Sequence, residues 1–107
     1  MTINQATIDT ASTGTTIVPA PATGSYANVG IFFCNYNTVP VTLQVYLQTA
    51  AGSPTDANSI MRDLTLQPKE TFVLNVEKFL LSGTNTRVSA IASVASSVVA
   101  TASYIAI

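Results

Sequence analysis

The chain has 107 residues, 48% of them hydrophobic, with four Lys or Arg, five Asp or Glu, one cysteine and neither histidine nor tryptophan. This length fits one domain with one core, and a charged fraction of 8%, against roughly 25% in average soluble domains, leaves Thr, Ser, Asn, Gln and Ala to cover the surface. A net charge of −1 offers no basic stripe for nucleic acid and little repulsion between copies, so nucleic acid is set aside as a partner and a homo-oligomer is expected.

Residues 1–16 are rich in Thr, Ser, Asn and Ala with little periodicity, which predicts an extended N-terminal arm ahead of a domain spanning 17–107. Residues 6–10 could add a short edge strand. With no basic stretch and no apolar run at the N-terminus, no cleaved signal peptide is expected. Ile17 and Val18 run into Pro19 and Pro21, which bar a central strand, and Gly24 supplies a turn. Residues 28–36 (NVGIFFCNY) predict a strand central in its sheet, with Val29, Ile31 and Phe33 on one face, Phe32, Cys34 and Tyr36 on the other, and both faces partly covered. Gly30 marks a turn or a bulge.

Residues 41–48 (VTLQVYLQ) alternate cleanly, placing Val41, Leu43, Val45 and Leu47 inward and Thr42, Gln44, Tyr46 and Gln48 outward. This strand and the one before it are expected to form an antiparallel hairpin. Beyond the turn-rich residues 51–58, segments 60–66 and 70–76 flank Gln67-Pro68-Lys69 as a second hairpin-like pair, with Leu64, Leu66, Phe72, Leu74 and Val76 as core candidates. Residues 77–81 form a single turn or a strand end, 82–85 a turn, and 87–92 a further strand. In the closing segment, 98–107, Val98, Ala100, Ala102, Tyr104 and Ala106 share one face and Val99, Thr101, Ser103, Ile105 and Ile107 the other. Seven or eight strands at this spacing predict an all-β antiparallel β-sandwich, jelly-roll-like or Ig-like. The uncharged residues 88–107 match a bilayer span in length, but six Ser and Thr dilute them and no basic cluster flanks them beyond Arg87, so strands and no membrane contact are expected.

Chemistry-bearing side chains are scarce. Cys34 could act as a nucleophile only with a base beside it, and the chain has no histidine, so a buried structural cysteine is expected. Of the carboxylates Asp9, Asp56, Asp63, Glu70 and Glu77, three stand next to a cation and none follows a calcium-loop spacing, which makes them surface charge. No catalytic residue, metal ligand or cofactor site is therefore assigned, and no enzymatic activity is expected. Asp56 and Asn58, in the longest turn-rich loop, are the best candidates for a cation or glycan contact. Tyr46, expected to point outward from its alternating strand, is the best candidate for a protein interface.

From about Tyr26 onward the chain carries, in order, VGIFFCNYNTVPVTLQVYLQ, the linker SPTDANSI, the pair LTLQPKETFVLN, the turn and strand FLLSGTNTRVSAIAS and a closing TASYIAI. This order resembles the small β-sandwich virion proteins of tailed bacteriophages, which include head-decoration (cement), neck and tail accessory components. The turn at 82–85 and the last strand depart from that pattern in lacking acidic residues. The resemblance implies a non-enzymatic, multicopy structural protein located in the virion. As a decoration subunit it would stabilise the capsid by contacts with the major capsid protein; as a tail, neck or fibre-adaptor subunit it would contact tail or neck proteins. A carbohydrate-binding adhesive module is the further alternative.

Overall fold

The computed structural model describes residues 2–21, 24–48, 53–75, 81–82 and 87–107. Two-residue periodicity, interrupted by Pro, Asn and Gly, resolves into nine strands: β1 (Thr2–Thr7), β2 (Thr15–Val18), β3 (Ser25–Asn35), β4 (Val41–Gln48), β5 (Ser59–Leu66), β6 (Thr71–Asn75), β7 (Leu81–Ser82), β8 (Arg87–Ala92) and β9 (Val98–Ala106). One sheet, here sheet A, has the order β1-β9-β3-β6, with the two-residue β7 also on β3; sheet B has the order β2-β8-β4-β5. Every pairing is antiparallel. The β-sandwich is therefore as the sequence predicts, and its wiring is that of a jelly roll: apart from β7, only β4 and β5 are both consecutive and paired, and every other connection passes from one sheet to the other.

The core lies between the sheets and is built from matched large and small side chains. In sheet A, Phe33 stands opposite Ala100 and Ile31 opposite Ala102. In sheet B, Val45 stands opposite Ala90 and Leu43 opposite Ala92. All eight are buried, so each alanine-bearing strand makes room beside a strand carrying bulky residues, which is how a short chain reaches interior packing density. Leu66 joins this core, while Leu64, Phe72 and Leu74 pack partly buried against it. Val76 lies outside the described residues, as do residues 77–80 and 83–85 of the predicted turns. Of the two faces read in the closing segment, the one with Val98, Ala100, Ala102 and Tyr104 is buried, while Ala106 at its end is exposed. Gly30 adjoins a register shift between Ala27 and Gly30 against β9, the bulge expected there. Among the described residues no helix is long and apolar enough to cross a membrane; residues 88–107 form most of β8, a turn and β9.

Three expectations are corrected. The first concerns residues 1–16, which are no free arm: β1 pairs with β9 from Thr2↔Tyr104 to Thr7↔Val99, Ile8 is fully buried in the core, and the Asn4 side chain donates 2.6 Å to the Ile17 carbonyl, joining the two sheets at this margin. A boundary at residue 17 would cut β2 in half. The strand was obscured because its polar composition suits a half-exposed edge and its strongest core residue, Ile8, comes one position past its end.

The second concerns the two hairpins. β3 and β4 lie in different sheets, as do β5 and β6. Buried Asn35 explains how both corners turn: its amide nitrogen donates to the carbonyls of Val39 (2.9 Å), Leu66 (3.1 Å) and Gln67 (3.2 Å) while its Oδ1 accepts the Asn37 N–H (3.0 Å). One side chain thus ties the β3–β4 corner to the β5–β6 corner.

The third concerns the strand at 28–36. One face, with Ile31 and Phe33, is buried, but the other is uncovered: Phe32 and Tyr36 are exposed and Cys34 is only half-buried.

Candidate interaction surface

The loop residues expected to contact a cation or glycan are occupied with their own loop. Asn58 Oδ1 accepts the Thr55 N–H at 2.9 Å and its Nδ2 donates to the Ser53 carbonyl at 3.2 Å, holding a single 3-10 turn at Asp56–Asn58. Asp56 Oδ1 accepts from Arg62 Nη1 at 2.7 Å, and its carbonyl accepts from Ser59 Oγ at 2.8 Å. Among the described residues no group of three or more His, Cys, Asp or Glu could hold a metal ion. An open hollow of about 260 Å³ between Thr7, Ile8, Asp9, Ala95 and Ser96 has one titratable side chain, Asp9. That carboxylate accepts the Thr10 N–H at 2.6 Å.

Tyr46 does lie on the outer side of β4, opposite Ser89, yet it is only 5% exposed and is not available as a surface contact. Loops close over this end of sheet B. Gly14, at φ +78°, packs so tightly that a Cβ there would lie 3.1 Å from Ser89 Oγ and 3.2 Å from Pro54 Cγ, so glycine is needed both for its conformation and for the close approach. Beneath it, Ser89 and Gln48 are buried and the Ser89 hydroxyl donates to Gln48 Oε1. Arg87 fixes the same loop by donating to Thr16 Oγ1 and to the Thr13 carbonyl. Clean alternation in β4 correctly set the direction of these side chains and could not disclose the cover.

Among the described residues, none closes over the outer face of sheet A in this way. Strand register sets its residues in rows: Gln5, Thr101, Phe32 and Val73 in one, Ile3, Ser103 and Gly30 in the next. Phe32 is 51% exposed, Val73 49% and Ile3 67%. Thr7, Val99, Cys34 and Thr71 form the row on the other side of Phe32. No charged residue stands in these three rows. The described charges Asp9, Asp56, Arg62, Asp63, Lys69, Glu70 and Arg87 all lie on sheet B or in connecting turns. Phe32 and Val73 are cross-strand neighbours, and Ile3 stands two strands away across Thr101 and Ser103 of β9; an uncharged sheet face with an exposed apolar pair marks an interaction site more often than a single exposed residue does. The sequence signal for it was NVGIFFCNY itself, whose second apolar face requires cover that the described residues do not supply.

Behind this sheet, Tyr104 and Tyr26 pack with ring centroids 4.5 Å apart at 41°. Burial, and secondarily the neighbouring Tyr26, push the Tyr104 phenol above its ordinary pKa. This pair belongs to the core and not to the exposed face. Comparisons with family models, curated proteins and solved structures found no match.

Proposed function

We propose that the chain is a non-enzymatic, multicopy structural subunit of a bacteriophage virion, acting as a capsid decoration (cement) protein that strengthens the particle through protein–protein contacts. The observation that carries this reading is the uncharged outer face of sheet A, where Phe32 and Val73 are exposed side by side and Ile3 is exposed on the edge strand β1. A face of this composition gains from burial against another protein and offers nothing to an ion or a phosphate. The order of motifs resembling phage virion proteins supplies the biological setting. Jelly rolls recur in viral capsid and lectin domains alike, so the fold itself does not select between them. Against the lectin-like alternative, Asn58 spends its side-chain polar atoms within its own loop.

The test is immunogold labelling of intact particles from the source that encodes the chain, with antibody raised against the purified protein. Label distributed over heads is the expected result. Label confined to the neck or tail would replace decoration by the tail, neck or fibre-adaptor reading, and particles that never take label would overturn the virion assignment.

A further inference from the structure

We infer that the outer face of sheet A is a homotypic interface, on which a second copy of this chain docks face to face. The inference rests on the reading of the chain as a multicopy assembly subunit and adds the identity of the partner. Three observations favour a second copy. The first is electrostatic: two copies of a charged face repel at like positions, whereas this one has no charge in any of its three described rows, so self-apposition opposes no like charges and strands none in a dry interface.

The second is shape. Gly30 stands beside Phe32's row, next to the register shift against β9; a Cβ would fit there, meeting only Ser103 Oγ, at 3.7 Å, and the backbone is not left-handed. The result is a dent formed by Gly30 and Ser103 next to the Phe32 knob. A two-fold axis lying between the faces, perpendicular to the strands and midway between the two rows, sets Phe32 of each copy over Gly30 of the other. Knob and dent are adjacent on one strand, which is what an isologous contact needs.

The third is extent. Strands of six, nine, eleven and five residues, about 4.8 Å apart and rising about 3.3 Å per residue, give a face of roughly 490 Å², so that a pair covers roughly 1,000 Å². That is close to the lower limit of specific interfaces, about 1,200 Å², and implies a reversible dimer.

Sedimentation velocity of the full chain over a range of concentrations, with the alkylation rate of Cys34 measured on the same samples, tests this. Cys34 lies on the face in the row adjoining Phe32. The expected result is concentration-dependent dimerisation together with slower Cys34 alkylation at high concentration. Phe32→Asp and Gly30→Val should each weaken dimerisation by about tenfold or more and abolish the protection of Cys34. Because Phe32 is half-exposed and Gly30 has room for a side chain, both variants are expected to fold, which circular dichroism verifies. Gln44→Lys, on the other sheet, should dimerise like the parent. A chain that stays monomeric, or one that associates with Cys34 unprotected and with no response to Phe32→Asp, would overturn the inference. If Phe32→Asp removes a monomeric protein from particles, the face belongs to a different virion protein: the second copy is then wrong while the proposed function stands. A dimer with the expected variant pattern but no label on any particle fails the proposed function and leaves the interface intact.

Discussion

Tyr46 separates direction from exposure. Its side chain points away from the main core, yet the Gly14 and Pro54 loops leave it 5% exposed. Truncating it should therefore behave as a core deletion: Tyr46→Ala is expected to cost about 3 kcal/mol in urea unfolding, whereas a surface tyrosine would stay within about 0.5 kcal/mol. Tyr104 yields a pH dependence. Its phenol ionises at higher pH in the fold than in the unfolded chain, for reasons of burial and then of Tyr26. The associated stability is fully present below about pH 10, the unfolded value, and is lost as pH rises from there through the folded value. Thermal unfolding followed from pH 8 to 11 should show that alkaline decline, and Tyr104→Phe should flatten it.

At the scale of elements, β1 and the corners hold what the sequence concealed. Ile8 is fully buried although it sits in a polar stretch; Ile8→Ala should cost about 2–4 kcal/mol, and removal of residues 1–10 should lower the melting temperature rather than release a spare arm. Differential scanning calorimetry measures both. Asn35 donates to three carbonyls, so Asn35→Asp would set a carboxylate against acceptors and should destabilise by about 3 kcal/mol or more at pH 7, with partial recovery at low pH as the acid protonates. The positions of the strands after β1, the central place of β3, and the two alternating faces of β9 were legible because a two-residue period marks them locally. Sheet membership was not. A turn at Asn37 and Pro40 suits a hairpin and a sheet-to-sheet corner equally, and the choice lies in Asn35's contacts with residues 31 and 32 positions further along the chain. The candidate site was missed for a related reason: Phe32 looked like half of a two-sided buried strand, and only the full sheet reveals that no described residue covers its second side.

For the whole molecule, charge is distributed as unevenly as apolar surface. Sheet B and the turns hold every described ion, including the Arg62–Asp56 pair, while sheet A presents Phe32, Val73 and Ile3. That pair is exposed and merits little weight in stability; Asp56→Ala should shift the urea midpoint by an amount equivalent to less than about 1 kcal/mol. The position of the last two long strands has a different kind of consequence. β8 lies between β2 and β4, and β9 lies between β1 and β3. Both sheets therefore lack a middle strand until residues 87–106 are available. A nascent chain emerging from the ribosome holds two sets of separated half-sheets with open backbone edges: sheet B cannot close before β8 is made, nor sheet A before β9. Folding is consequently dominated by distant pairings, and the interval before β8 and β9 arrive is when these strands are most open to aggregation and most in need of chaperone cover.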